Sequence, residues 1–113
     1  MNGLNIAKKK AHTSTFERAR HGAVITKGGR VLSSATNKTK RSKHAARNQY
    51  ESIHAEEAAI FQLLRQPNGL QHLAGATIFI TRVLKNGTTA NSTPCPSCAK
   101  LIQSVGIKKI IHT

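Results

Sequence analysis

The pattern of apolar and polar positions along the chain predicts short strands that alternate with helices. The clearest strand pair covers residues 22–34, where the β-branched run GAVIT and the run RVLSSAT flank Lys27-Gly28-Gly29. Two glycines between such runs are typical of a hairpin turn. The apolar run GATIFIT at 75–81 predicts a buried strand, and IKKIIH at 107–112 predicts a final one.

Three segments have the character of helices. HAEEAAIFQLLRQ at 54–66 consists of strong helix formers that end at Pro67-Asn68-Gly69, with Ser52 as the candidate N-cap. CPSCAKLIQSV at 95–105 predicts a second helix, and residues 4–20 a less regular one before the first strand. The predicted apolar stripe of the 54–66 helix is Ala59, Ile60, Leu63 and Leu64. The order α-β-β-α-β-α-β predicts an α/β fold in which a central sheet carries helices on its faces.

Length and composition limit the class of protein. A chain of 113 residues is expected to form a single domain, 1–113. No apolar run approaches the roughly 20 residues of a membrane span, and the first residues lack the apolar core of a secretory signal. We therefore expect a cytoplasmic protein with no membrane partner. Two cysteines spaced C-x-x-C favour a metal or redox role over a structural disulfide.

The charge is strongly positive and unevenly distributed. The chain has eighteen Lys and Arg residues and only four acidic residues, which gives a formal net charge of +14. Such a balance favours a polyanionic partner, either nucleic acid or the phosphates of a nucleotide, although a merely soluble basic surface also fits. Two segments concentrate the charge: a basic N-terminal helix within 1–20 and a basic loop at 37–52. The loop leads directly to His54, so it is either a flexible lid beside a site there or a plain disordered loop.

Two short motifs carry the candidate chemistry: His54-Ala55-Glu56 and the segment Pro94-Cys95-Pro96-Ser97-Cys98. One imidazole and two thiols give zinc three protein ligands and leave the fourth tetrahedral position open, as a catalytic zinc site requires. The two thiols are at i and i+3 of one predicted helix, so they share a face. The carboxylate two residues after the histidine is then the candidate acid and base.

Each motif alone has other interpretations. A redox C-x-x-C would have to lie in a βα turn, and it would leave His54 and Glu56 unexplained. A structural zinc would need a fourth protein ligand, and neither His44 nor His72 has a suitable spacing from either motif. Together the two motifs match the H-x-E…P-C-x-x-C signature of zinc-dependent nucleobase deaminases.

Most of the chain, from Gly22 to His112, resembles the cytidine deaminase superfamily. RHGAVITKGGRVLSSATNK is similar to its first hairpin, SIHAEEAAI to its first zinc helix, and TPCPSCAKLIQSVGIKKIIHT to its second zinc helix and fourth strand. The last segment is especially similar to deoxycytidylate deaminases, including those of phages. The resemblance implies a three-layer α/β/α sandwich of the cytidine deaminase type, truncated after the fourth strand.

The resemblance also implies roles for individual residues. It implies one zinc per chain with a catalytic water, held by His54, Cys95 and Cys98. Glu56 is then the proton shuttle, Asn37 contacts the sugar or base, and the Ala55 backbone N–H binds the pyrimidine. Apart from the resemblance, basic residues of the two polar loops are candidate phosphate contacts: Lys38, Lys40, Arg41, Lys43 and Arg82. Arg82 lies in a loop that departs from the family, where it either contacts a phosphate or merely solvates the loop.

The implied reaction is hydrolytic conversion of cytosine to uracil in a (deoxy)cytidine nucleotide. A first alternative is a polynucleotide cytidine or adenosine deaminase acting on single-stranded DNA or RNA, favoured by the charge but not by the few aromatic residues. A second is a non-catalytic basic nucleic-acid-binding module with a structural zinc, against which Glu56 argues. The sequence departs from the family in a longer polar loop at 82–93 and in its end after the fourth strand. We therefore expect either an open pocket or one completed by a neighbouring subunit in a homo-oligomer.

Overall fold

The computed structural model describes residues 2–14, 20–39 and 52–113. Four helices and seven strands occur in these ranges. In chain order they are α1 (Gly3–Ala11), β1 (Arg20–Lys27), β2 (Arg30–Thr36), β3 (Lys38–Thr39), β4 (Ser52–Ile53), α2 (Ala55–Leu64), α3 (Gly69–Leu73), β5 (Thr77–Val83), β6 (Thr89–Ala90), α4 (Pro96–Ser104) and β7 (Lys109–His112).

The main sheet is mixed and has β5 at its centre. Its strands follow the order β2-β1-β5, all antiparallel, and β5 then pairs with two different strands along its other edge. The first half of β5 pairs with β7 in parallel, whereas its last two residues pair with β6 antiparallel. A parallel pair needs a long crossover connection, and α4 provides it. β3 and β4 form a separate two-stranded ribbon.

Helices cover both faces of the sheet. The Thr81 hydroxyl donates to the Leu4 carbonyl of α1, so the odd-numbered residues of β5 face α1. Ile78 and Ile80 point the other way, into a core that includes Ile60 of α2 and Ile102 of α4. The predicted three-layer α/β/α sandwich is thus confirmed. Among the described residues, no helix is both long and apolar enough to cross a membrane.

Glycines act at two points of the first hairpin. Gly28 and Gly29 form the predicted turn and both have positive φ angles, which glycine adopts without steric cost. Gly22 lies so close to the Ala7 carbonyl of α1 that a Cβ atom would overlap with it. The absence of a side chain at Gly22 therefore lets α1 pack directly on β1.

The N-terminal helix is shorter than the predicted span of 4–20. It ends at Ala11, and residues 15–19 lie outside the described part of the chain. The reason lies in the two hydroxyl residues that follow. Thr13 donates its side-chain hydroxyl to the Lys10 carbonyl, and Ser14 donates to the Asn37 carbonyl, so both compete with a continuing helix.

The basic loop 37–52 begins and ends in the ribbon β3–β4, a feature that the sequence did not predict. Residues 40–51 lie outside the described part of the chain. The predicted N-cap of α2, Ser52, is wrong because Ser52 belongs to β4, and His54 occupies the cap position. Leu64 is 37% exposed, so the buried stripe of α2 lacks the fourth predicted member.

The predicted polar loop 82–93 is instead the end of a hairpin. β5 continues to Val83, turns at Gly87 and returns as β6. The turn is closed by the Leu84 N–H, which donates to the Thr88 carbonyl at 2.8 Å. Beyond the hairpin, the buried Ser92 donates its hydroxyl to the Ile80 carbonyl. This anchor fixes the segment that leads into Cys95.

Candidate metal centre and active site

Two helix N-termini bring the candidate ligands together. His54 is the N-cap of α2 and Cys95 is the N-cap of α4, yet neither side chain makes a capping hydrogen bond. Both side chains turn toward each other instead. Pro96 begins α4 at a position that tolerates the missing N–H, and Cys98 follows in the same first turn. The positive ends of both helix dipoles therefore face the group, which favours thiolates there.

The distances between the ligand atoms fit a zinc ion. His54 Nδ1 lies 3.2 Å from Cys98 Sγ and 3.6 Å from Cys95 Sγ. All three ligand atoms lie within 4.8 Å of one another. Tetrahedral zinc, with bonds of about 2.3 Å to sulfur and about 2.0–2.1 Å to nitrogen, would separate such ligands by about 3.6 Å. In the described part of the chain, the three side chains thus form a candidate zinc site with one tetrahedral position left for another ligand.

The acidic residues of the described part of the chain, Glu56 and Glu57, both lie at this site. Glu56 is in the first turn of α2, only 5% exposed, and close enough to influence the ionisation of Cys98. Glu57 Oε1 lies 3.8 Å from Cys98 Sγ and 3.9 Å from His54 Nδ1. Two carboxylates in a chain with so few acids create a local environment that favours a cation.

Glu57 was missed by the sequence interpretation. The signal was present, since Glu57 is three residues from His54 and residues at i and i+3 share a helix face. The H-x-E spacing drew attention to Glu56 alone. The half-exposed Glu57 side chain contacts two candidate ligands, so we assign it an orienting and electrostatic effect on the metal centre.

The two thiols ionise differently in the absence of metal. Burial opposes ionisation of Cys95, but hydrogen bonds with Ser97 and Cys98 outweigh it and lower its pKa from 9.0 to about 7. Burial, and next the negative charge of Glu56, raise the pKa of Cys98. A bound divalent cation reverses such effects, because a coordinating thiol is deprotonated outright. The metal-free site therefore has one thiol ready to ionise and one that needs the metal.

The ribbon β3–β4 places Asn37 beside this centre. Lys38 pairs with Ile53, so the residues next to them, Asn37 and His54, come together at the end of the ribbon. Asn37 is buried, and its Oδ1 accepts hydrogen bonds from the His21 N–H at 2.9 Å and from the Ser14 hydroxyl at 2.7 Å. The side-chain carbonyl of Asn37 thus fixes the junction of α1, β1 and β2.

The other predicted site residues lie on α2, on β5, in β3 or outside the described residues. Ala55 is completely buried at the first position of α2, where a backbone N–H has no partner within the helix. Arg82 lies on β5 at the edge of the hairpin. The backbone of Lys38 forms part of β3. Lys40, Arg41 and Lys43 lie outside the described residues, so their role as phosphate contacts stays a prediction.

Comparison with known proteins agrees with this geometry. The model of the cytidine and deoxycytidylate deaminase zinc-binding region matches residues 2–113. The deoxycytidylate deaminase of Enterobacteria phage T2 is 35% identical over 75 residues, which cover 66% of this chain and 33% of the relative. The phage T4 enzyme has the same identity over the same length, with 66% and 32% covered. The aligned part therefore spans about a third of the curated relatives.

A solved structure matches nearly the whole chain. The dCMP deaminase from the cyanophage S-TIM5, in its apo form, superposes with a TM-score of 0.73 at 25% identity. The match covers 97% of this chain and 78% of that chain. The fold, the matched residues and the His-Cys-Cys group agree with one another. The chain therefore belongs to the family of the cytidine and deoxycytidylate deaminase zinc-binding region.

Proposed function

We propose that this protein is a zinc-dependent hydrolase that deaminates the cytosine of a (deoxy)cytidine nucleotide to uracil. The observation that carries the proposal is the meeting of His54, Cys95 and Cys98 beside the buried Glu56. Within residues 2–14, 20–39 and 52–113, only three side chains form the metal group, which suits a catalytic zinc, and a carboxylate next to them suits proton transfer. A purely structural zinc would have no use for either feature.

The chemistry divides between the metal and the protein. Zinc in such a site supplies a Lewis acid and makes a water molecule acidic enough to act as a nucleophile near neutral pH. Glu56 accepts a proton from the attacking water and delivers it to N3 of the cytosine, which makes C4 electrophilic. The hydroxyl left from the water adds to C4. Glu56 then transfers the proton of this hydroxyl to the amine as the C4–N bond breaks, so that water and cytosine yield ammonia and uracil.

The Ala55 backbone N–H and the position of Asn37 support binding of the base next to the metal. The Ala55 N–H lies in the first turn of α2 and has no helical partner, so it can donate to the pyrimidine carbonyl. Asn37 lies beside His54 through the ribbon pairing.

A nucleotide substrate has two supports. The curated phage relatives are deoxycytidylate deaminases, and the cyanophage S-TIM5 enzyme has also been crystallised with dCMP and dUMP. The net charge of +14 favours a phosphorylated substrate over a neutral nucleoside. The homo-oligomer and the cytoplasmic localisation expected from the sequence stay predictions.

A polynucleotide substrate is the second candidate, and the charge distribution is the observation that favours it. Beyond Glu57 the chain has no acidic residue, while basic residues occur throughout. A strand of DNA or RNA would engage several of these cations at once, and each phosphate contact would release counterions.

Ammonia release from dCMP, deoxycytidine, and cytosine-containing single-stranded DNA and RNA separates the two candidates. We expect dCMP to be the best substrate, with a kcat/KM that falls only about 3- to 4-fold between 50 and 200 mM salt, as one phosphate contact implies. A polynucleotide substrate would instead lose about 10³- to 10⁵-fold in affinity over this range if it made 6–10 phosphate contacts. Faster turnover of single strands than of dCMP, with that steep salt dependence, would overturn the nucleotide proposal.

A further inference from the structure

Asn37 and His21 lie between the metal centre and Arg82, side by side across the ends of neighbouring strands. The ribbon β3–β4 places Asn37 beside His54. The Asn37 N–H donates to the His21 carbonyl at 3.3 Å, and His21 pairs directly with Arg82 on the neighbouring strand. Since paired strands are about 4.8 Å apart, the Arg82 backbone is about 10 Å from Asn37. An extended arginine side chain can span much of that distance.

The side chain of Arg82 is on the sheet face that carries both metal helices. Residues alternate between faces along a strand, and the register of β5 against β1 is continuous from Thr77 to Val83. Ile78 and Ile80 face the core beneath α2 and α4. Arg82 is the next residue in that row, at the end of β5 where the connection to Cys95 begins.

The position of Arg82 is fixed, and its guanidinium has an unused donor. The Arg82 N–H donates to Thr113 Oγ1 at 3.4 Å, and Arg82 pairs with Ala90 of β6. Its Nε is buried and has no hydrogen-bond partner in the described part of the protein. A buried donor without an acceptor is costly, so it is a site where a ligand acceptor is favoured.

The chemistry of this donor indicates the ligand class. A guanidinium presents a planar fork of N–H groups that matches two oxygens of a phosphate group. With the base beside His54 and Glu56, the phosphate of a nucleotide must extend away from the metal. Arg82 lies in the β5–β6 hairpin, and the chain runs from this hairpin through Ser92 to Cys95. The Ser92 hydroxyl, which donates to the Ile80 carbonyl, holds this segment against β5. Arg82 is therefore placed to meet a phosphate that enters with its base at the metal.

We propose that Arg82 binds the phosphate of the substrate and makes the site selective for a nucleoside monophosphate over the nucleoside. This inference rests on the proposed deaminase function, since it needs a cytosine bound next to the metal. The longer connection at 82–93 extends β5 beyond Thr81 and lets it pair with β6. This pairing holds Arg82 in place.

The test compares substrates with and without phosphate in matched variants. Arg82→Gln should lower kcat/KM for dCMP by about 10- to 100-fold, the range of one charge-assisted hydrogen-bonded contact. Its kcat/KM for deoxycytidine should stay within about twofold of the wild-type value, because no phosphate is present to lose. Calorimetric binding of the products should show the same pattern, with weaker dUMP and unchanged deoxyuridine.

Lys85→Gln is the matched control, since it removes the same charge from an exposed position of the same hairpin. It should leave both substrates unchanged, and an equal loss of dCMP activity in this variant would reduce the effect to general charge and overturn the proposal. Equal losses for dCMP and deoxycytidine in Arg82→Gln would also overturn it. Should Arg82→Gln unfold at a lower temperature, Arg82→Lys, which keeps the charge but not the fork, should still lose dCMP selectivity.

The outcome for the wild-type protein separates this inference from the proposed function. Zinc-loaded protein that deaminates dCMP and deoxycytidine with equal kcat/KM would overturn the phosphate contact while the deaminase assignment stands. Zinc-loaded protein that deaminates neither, although it is folded, would overturn the proposed function itself.

Discussion

Glu56→Gln is expected to lower kcat for dCMP deamination by about 10²- to 10⁴-fold, the usual contribution of a positioned acid and base. Glutamine preserves the size and the burial of the side chain, which is 5% exposed in the first turn of α2. It cannot take a proton from water or deliver one to the base. Zinc content should stay at one per chain, because Glu56 is not among the three ligands that form the metal group.

The matched control is Glu57→Gln, which removes one carboxylate from the adjacent position of the same helix. Its kcat should fall far less, although zinc affinity should weaken by up to about 10- to 100-fold, as for other groups that contact metal ligands. Ammonia release and zinc content should be measured on the same samples. Undiminished turnover in Glu56→Gln would exclude Glu56 as the proton shuttle.

Cys98→Ser is expected to lose zinc and, with it, much of the stability of the fold. Cys98 is 1% exposed and lies 3.2 Å from His54 Nδ1, so its sulfur is central to the metal group. Zinc affinity should fall by more than about 100-fold, because even groups outside the ligand set contribute about 10- to 100-fold. Zinc present at 1,000 times its Kd stabilises the wild-type protein by about 4 kcal/mol, which the variant would forgo.

Zinc titration and thermal unfolding with and without a chelator measure both effects. Ser97→Ala is the control, because Ser97 contacts Cys95 through a hydrogen bond at 3.2 Å and lies between the two cysteines. It should retain one zinc per chain and most of the stabilisation by zinc. A Cys98→Ser variant with wild-type zinc affinity would contradict the assignment of this thiol as a ligand.

The parts of the fold that the sequence predicted well are those governed by local patterns. The Gly28-Gly29 turn and the helix after His54 follow from turn chemistry and helix propensity. The metal group was predictable because its three ligands come in two compact motifs. Each motif is at the start of a helix, where the chain has little freedom to point its side chains elsewhere.

The features that the sequence did not predict depend on contacts between distant segments. The ribbon β3–β4 involves only two residues on each side, too few for a strand pattern to be visible. The extension of β5 to Val83 depends on pairing with β6 across a polar turn. The Thr113 hydroxyl supports it, because it donates to the Ala90 carbonyl and accepts from the Arg82 N–H. The lack of an acceptor for Arg82 Nε among the described residues likewise becomes visible only once these strands are assembled.

Stepwise zinc reconstitution decides whether zinc, held by His54, Cys95 and Cys98, makes this protein a cytosine deaminase. Metal-free protein is titrated with zinc while conversion of dCMP to dUMP and ammonia is followed. Turnover is expected to be absent without metal, to rise in proportion to added zinc and to reach a plateau at one zinc per chain. Folded protein that binds one zinc per chain yet releases no ammonia, or that is fully active without zinc, would contradict this assignment.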